Sequence, residues 1–474
     1  MPTSAAATAD PDTTHLAPTD GDTLHRGLKN RHIQMIALGG AIGTGLFYGS
    51  ASSVHRAGPA ILISYAIGGL IIFLVMRALG EMSVEEPVTG AFAHYARTHW
   101  GELPGYYSGW NYWFSYVAVS MAELTVVGVY INHWWPTVPA WVSAAVCLAV
   151  ITAVNLIEVS AYGEFEFWFA LIKVVAIVAM IIGGLIIITT GVGTNEPPVG
   201  LTNLTAHGGF MPQGLWGVAS ALAVVMFAFG GVELIGIAAG EADNPRTTIP
   251  RAINQVIHRI FLFYVGAVFV MLCLFPWNQI GQNGSPFVTI FDQIGVPYAG
   301  DILNVVVLSA AVSAYNSGLY SNGRMLHTLA HQGNAPRFLG QLSRTGAPAA
   351  GVLVSSAVTA SAVLLVALFP KDVFGYVMAV ALFAAGTNWA MITYTHLRFR
   401  RGLTEAQLAR LHFPMPGAPY SNYLVLGFFV VLLGVMWTQE NFRPALIVGP
   451  LWAALLIASY YIRRHLLSRR GESA

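Results

Sequence analysis

The stretch GGAIGTGLFYGS, Gly39–Ser50, puts five glycines within eleven residues of the first apolar segment of the chain. Glycine costs a helix about 1 kcal/mol relative to alanine, so a cluster of them there needs a physical reason. One reason is packing. Gly39 with Gly43, and Gly45 with Gly49, form GxxxG pairs that let helices approach closely in lipid. The other is a helix interrupted on purpose, and the second half of the chain bears on which applies.

Of the 474 residues, 55% are hydrophobic and 9% charged, against about 25% charged in a soluble domain. This composition is that of a polytopic membrane protein. A helix needs about 20 apolar residues to cross a bilayer core of about 30 Å. Such runs occur near residues 33–53, 58–78, 104–131, 138–157, 165–190, 214–238, 256–276, 300–321, 347–369, 372–396, 420–438 and 444–462, twelve in all. Residues 1–25 are polar and lack an apolar core, which reads as a disordered tail and not a cleaved signal peptide. Nineteen of the 23 basic residues, among them Arg77, Arg259, Arg324 and Arg400, fall in or beside alternate segments starting from the N-terminus. The positive-inside rule then places both termini in the cytoplasm.

Several classes are excluded. None of the three lysines, Lys29, Lys173 and Lys371, follows a glycine, so there is no P-loop and no ATPase subunit is implied. HExxH and GxSxG are absent, and no basic stripe with interleaved aromatics points to nucleic acid. The chain is not expected to be an enzyme. Cys147 and Cys273 lie in apolar runs and read as small packing residues, and the 14 histidines are scattered, so no metal or other cofactor is expected. A transporter in the lipid bilayer, driven by an ion gradient or facilitating, fits twelve spans with sparse buried charge. A channel or membrane receptor is the reading from a different class.

The sixth span reads VVMFAFGGVELIGIAAGE, with Gly230 and Gly231 at its centre and Glu233 just after. Two glycine-interrupted spans standing five helices apart fit an inverted five-plus-five repeat whose broken helices build a site at mid-membrane. Unpaired backbone is not tolerated against lipid, so each break must face a cavity or a ligand. Unwinding around Gly43, Thr44 and Gly45 frees N–H groups suited to a carboxylate. Carbonyls of Ala41, Phe227, Ala228 and Gly230 can accept from an ammonium. A carboxylate and an ammonium a few ångströms apart describe an amino acid.

The segments RGLKNRHIQMIALGGAIGTGLF, GEMSVEEPVTGAFAHYA, GYYSGWNYW, GEFEFWFALIKV, FAFGGVELIGIAAGEADNPRTTIPRAI and NSGLYSNGRMLHTLA run through most of the chain. In these the chain resembles the amino acid permeases of the amino acid–polyamine–organocation superfamily, bacterial amino acid transporter branch. The resemblance implies an all-α, LeuT-like fold with discontinuous first and sixth helices and two further C-terminal helices. The core is then 26–400, with repeats about 33–190 and 214–396, followed by a cytoplasmic loop at 401–419, helices over 420–462 and a tail at 463–474. It also implies alternating access and proton-coupled uptake across the bacterial cytoplasmic membrane. Thr44 and Gly45 would hold the substrate carboxylate and Phe227 would be an aromatic lid. The segments look closest to permeases for proline, aromatic amino acids, histidine and threonine. A lysine or arginine permease, or an exchanger, is the alternative.

Three ionisable residues inside spans need weighing, since each costs at least about 2.5 kcal/mol at the bilayer centre. Glu123 reads as a cation site, a proton carrier or a protonated carboxyl bonded to a neighbouring helix. Glu233 either accepts from N–H groups freed by the break or senses protons. Lys173, by the resemblance, stands against the first and eighth spans in place of a second sodium ion. It would bond to carbonyls near Gly40 and Ala41 and to Ser313 or Ser317, gating the broken helix by holding or releasing a proton. Trp110, Tyr112, Trp113, Phe114, Trp134 and Trp135 read as including interfacial anchors. Residues 85–100 read as an amphipathic helix on the cytoplasmic side.

Overall fold

The computed structural model describes residues 42–88, 91–157, 159–192, 198–234, 236, 244–280, 287–288, 298–370 and 372–469. The expected N-terminal tail, Ala41 and Lys371 lie outside the described residues. Among the described residues every regular element is helical. Ten helices are long and apolar enough to cross a bilayer: Gly49–Glu85, Glu102–Ile131, Ala140–Ile157, Glu164–Thr190, Pro245–Leu274, Ala299–His331, Ala349–Leu368, Val373–Arg401, Tyr420–Thr438 and Glu440–Arg469. A shorter apolar helix spans Gly214–Ala228. The chain is an all-helical membrane protein.

Glu102–Ile131 is the axis of the bundle. Its Asn111 Nδ2 donates to the Ala384 carbonyl and to Asn388 Oδ1, both at 2.9 Å, which ties it to Val373–Arg401. Asn304 Nδ2 of Ala299–His331 donates to the Tyr130 carbonyl at 2.8 Å. A Cβ on Gly318 would lie 2.8 Å from Ser120 Oγ, so the glycine permits that close crossing. The most apolar window of Glu102–Ile131 is 72% buried, against 17% for that of Glu440–Arg469 at the periphery. The outer helices turn apolar side chains outward, as with Phe165, Trp168, Ile172, Val175 and Ile182 on Val159–Thr190. Lipid reverses the usual sense of amphipathicity here: Glu166, Ala170, Lys173 and Ile177 make the buried stripe of the same helix.

Several helices outrun the apolar runs that announce them. Ile61–Glu85 extends past the expected end at residue 78, and Ala299–His331 past residue 321. A hydropathy reading stops at the first charges, whereas the helices continue because those charges find partners. Glu81, fully buried, accepts from Arg400 Nε at 2.9 Å and from the Met415 N–H at 2.5 Å, and lies 3.1 Å from His396 Nε2. Asn422 Nδ2 donates to the other ring nitrogen of His396 at 2.9 Å. Arg77 lies 3.6 Å over the Phe413 ring and donates to the Pro414 carbonyl, while Glu85 accepts from the His412 N–H at 2.9 Å. The segment after Arg401 is thereby clamped to the end of Ile61–Glu85.

One sequence expectation is corrected and others are refined. Tyr112 and Trp113 are buried, Trp113 donating to Ser355 Oγ at 2.9 Å, and Phe114 stacks on Trp452 at 4.4 Å, so these rings hold helices together and do not anchor at the interface. Trp135 is exposed, as an anchor would be. Arg259, counted among cytoplasmic-side charges, is buried. The expected seventh span, 256–276, contains a π-helical segment, Ile260–Gly266, a register that apolar periodicity does not reveal. Within 85–100 the observed helix is Ala91–His99.

The clamp gives a stability prediction. Glu81→Ala leaves Arg400, His396 and the Met415 amide without their shared acceptor and should destabilise the protein by about 3 kcal/mol. Thermal unfolding of the purified protein in detergent checks this; an unchanged midpoint would contradict it.

Candidate functional site

Where the first break is expected, Ile42 and Gly43 are not helical. Gly43 is extended, with φ −126° and ψ −158°, and a short helix, Thr44–Phe47, begins after it. Thr44 and Gly45 are therefore already helical, and the break sits slightly earlier than the glycine spacing indicates. A basic and an acidic side chain meet the backbone on either side of it. Lys173 Nζ donates to the Ile42 carbonyl at 3.2 Å and to Ser313 Oγ at 3.0 Å. The Thr44 N–H faces both oxygens of Glu123, each at 3.4 Å. Thr44, Glu123, Lys173 and Ser313 are all buried. A Cβ on Gly43 would lie 2.7 Å from Glu123 Oε1, so the bare glycine is what lets the carboxylate reach this backbone.

The second break follows Gly214–Ala228. The chain turns over Phe229–Glu233, with Gly231 at φ 93°, a conformation glycine adopts without strain. The Gly230 N–H donates to the Phe227 carbonyl at 3.0 Å, and Tyr264 Oη, from the π-helical segment, donates to the Ala228 carbonyl at 2.9 Å. Two of the carbonyls expected to meet an ammonium thus already have one donor, and each keeps a second lone pair. Glu233 accepts from Trp389 Nε1 at 3.3 Å. The two broken helices touch directly: a Cβ on Gly45 would lie 2.5 Å from Ala228 Cα. Gly45 is a packing glycine as well as a site residue, so a leucine there would unseat the helix pair and could not isolate a loss of binding.

Between the breaks lies a cavity of about 40 Å³, lined by Gly43, Gly45, Phe227, Ala228, Gly230 and Glu123, and beyond them by Glu233 and Ser317. The sequence reading named these eight as site residues; Ser115, Tyr116, Val119, Leu234, Ala314 and Ala385, which also line the cavity, it did not name. Thr44 contributes its amide beside Glu123, and Lys173 and Ser313 stand behind the lining. The Phe227 ring meets Phe374 edge-on at 6.3 Å, and Phe374 meets Tyr48 edge-on at 4.9 Å. A space near 40 Å³ suits a water or two, so anything larger requires these rings or the broken helices to shift.

Residues the sequence reading passed over also belong here. Glu166, fully buried, lies 2.7 and 2.8 Å from Ser313 Oγ through its two oxygens. Its signal was present: in GEFEFWFALIK it stands seven residues before Lys173, two turns along one helix face. Tyr264, Trp389 and Phe374 reach the site from later helices and carry no local signature.

The sequence profile of the amino acid permease family matches residues 32–467. The aromatic amino acid transport protein AroP of Escherichia coli (strain K12) is 50% identical over 444 residues, covering 94% of this chain and 96% of that protein. AroP of Salmonella typhimurium (strain LT2) is 49% identical over 440 residues, 93% and 96% of the two chains. The amino acid permease YtnA of Bacillus subtilis (strain 168), described as uncharacterised, is 48% identical over 438 residues, 92% and 95%.

The two site glycines should part in their behaviour. Gly45→Ala drives a Cβ into Ala228 backbone and should cost about 2 kcal/mol or more. Gly43→Ala meets the end of the Glu123 side chain and comes within 3.3 Å of Ala314 Cβ but reaches no backbone atom, and should cost less, about 1 kcal/mol. Thermal unfolding of both variants checks this, and equal losses would contradict the geometry.

Proposed function

The chain belongs to the amino acid permease family, and from that premise we propose that it imports aromatic amino acids by proton-coupled symport across the bacterial cytoplasmic membrane. Amino acid transport follows from the family; the aromatic class is supported by the two AroP proteins at 50% and 49% identity. The observation that carries the mechanism is the pairing at the first break: one backbone amide held by a carboxylate and one backbone carbonyl held by an ammonium, beside a cavity.

In this reading the fold is LeuT-like, with twelve spans, repeats at about 33–190 and 214–396, helices over 420–462 appended, and cytoplasmic termini. The two breaks, one after Ile42 and one at Phe229–Glu233, support that repeat. Glu123 occupies the donor that a substrate carboxylate would use. The incoming amino acid takes the Thr44 amide, and its ammonium meets the displaced Glu123 and the free lone pairs of the Phe227, Ala228 and Gly230 carbonyls. The exchange conserves charge, since a zwitterion supplies one anion for the amide and one cation for the released carboxylate. The substrate ring then stacks where Phe227 and Phe374 part. Glu123, engaged with backbone at the break, is better placed for an α-ammonium than for a distant cationic side chain, which favours neutral substrates over lysine or arginine.

Lys173 couples the proton in this reading. Charged, it bonds the Ile42 carbonyl and so ties the broken first helix to Ala299–His331 through Ser313. Neutral, it lets that helix move for alternating access.

The test is uptake into proteoliposomes with an imposed inward proton gradient. Labelled phenylalanine should accumulate at least about tenfold, tyrosine and tryptophan should compete, and replacing sodium by potassium should change nothing. Phenethylamine and hydrocinnamate, each lacking one end of the zwitterion, should compete at least about 100-fold more weakly, about 2.7 kcal/mol. Lys173→Ala should keep phenylalanine binding and lose accumulation. Sodium dependence, accumulation of lysine in place of phenylalanine, or full accumulation by Lys173→Ala would each contradict the reading.

A further inference from the structure

Glu166 has no place in the mechanism above, yet it is fully buried inside a membrane protein. A carboxylate is kept in such a position only with a partner or a task. Its two oxygens lie 2.7 and 2.8 Å from Ser313 Oγ, and the same oxygen receives Lys173 Nζ at 3.0 Å. A hydroxyl carries one hydrogen and can accept through its lone pairs. An ammonium can only donate, and the hydroxyl's hydrogen is then left for the carboxylate. The order is fixed as Lys173 N–H to Ser313 O–H to Glu166.

We infer that Glu166 is the proton acceptor for Lys173, reached through the Ser313 hydroxyl. In the step, Ser313 gives its hydrogen to a Glu166 oxygen while taking one from Lys173 Nζ. The Lys173 N–H bond and the Ser313 O–H bond break, and a Ser313 O–H bond and a Glu166 O–H bond form. Lysine becomes a neutral amine, glutamate a neutral acid, and the serine is regenerated. No net charge moves into or out of the bilayer interior, and no water is required. The surroundings suit such a shuttle: around the pair stand Glu123 on Glu102–Ile131, Arg259 at the end of Pro245–Arg259, and Ser313 and Ser317 on Ala299–His331. With its proton handed over, Lys173 loses its charged hold on the Ile42 carbonyl. Glu166 thereby controls the tie on the broken helix while lying outside the cavity lining.

This rests on the proton-coupled reading, and the experiment separates the two. Wild type, Glu166→Gln and Ser313→Ala are purified, their phenylalanine binding is measured, and each is reconstituted. Glu166→Gln keeps the side-chain shape but cannot take up a proton. Expected is binding within about threefold of wild type, with accumulation under a proton gradient reduced at least about tenfold, a change of about 1.4 kcal/mol. Ser313→Ala, which removes the bridge and leaves both end groups, should show the same split. Infrared difference spectra on phenylalanine addition should contain a protonated-carboxyl band that Glu166→Gln abolishes, a signal that a purely structural residue would not supply. Glu166→Gln and Ser313→Ala that both accumulate like wild type, or a band that survives Glu166→Gln, would overturn the assignment alone. A wild type without proton-driven accumulation would overturn the coupling reading with it.

Discussion

A helix interrupted inside a bilayer must have its freed N–H and C=O groups met by protein, because lipid offers no partner. At Ile42–Thr44 this chain meets the demand with an acidic and a basic side chain from different helices, Lys173 on the carbonyl and Glu123 on the amide. Much else follows. Both side chains must be buried, so each must be paired or bonded. Val159–Thr190 therefore presents a polar stripe inward and an apolar one to lipid, and Ala299–His331 must place Ser313 between Lys173 and Glu166. Backbone must approach backbone closely, so Gly45 carries no side chain where it crosses Ala228.

The second break is held differently. At Phe229–Glu233 the freed groups are met by local turns and by the Tyr264 hydroxyl, and Glu233 is bonded by an indole. One break is thus closed by ionisable side chains that a charged ligand can displace, and the other by neutral donors. That asymmetry suits a zwitterion entering between them. The clamp of Glu81, Arg400 and His396 lies away from this site, on the side where Arg77 and Arg400 gather. It fixes the segment following Val373–Arg401, which also carries the Trp389 partner of Glu233.

Much of this was legible in the sequence, for identifiable reasons. Glycine pairs mark breaks because glycine is the poorest helix former after proline, and the turn at Gly230 and Gly231 lies where they stand. Lys173 was legible because a mid-span lysine has few explanations, and Ser313, with Ser317 as the alternative, because the resemblance set the eighth span opposite. What stayed hidden depends on pairings distant in sequence. That Glu123 faces the Thr44 amide joins residues 79 apart, and spacing within one helix cannot show it. Tyr112 and Trp113 looked like interfacial anchors because an aromatic cluster near a span end has the same composition whether it faces lipid headgroups or another helix. Tyr264 is aimed by a π-helical register invisible to 3.6-residue periodicity. Gly45 read both as a packing glycine and as a site residue, but sequence cannot show which backbone lies against it.

The claim on which the account turns is that substrate carboxylate and Glu123 compete for one backbone amide. An experimental structure of the protein with phenylalanine bound tests it most directly. The account predicts the phenylalanine carboxylate within hydrogen-bond distance of the Thr44 nitrogen, with Glu123 turned away from that amide and onto the ligand's ammonium. Phenylalanine bound while both Glu123 oxygens still face the Thr44 amide would contradict it.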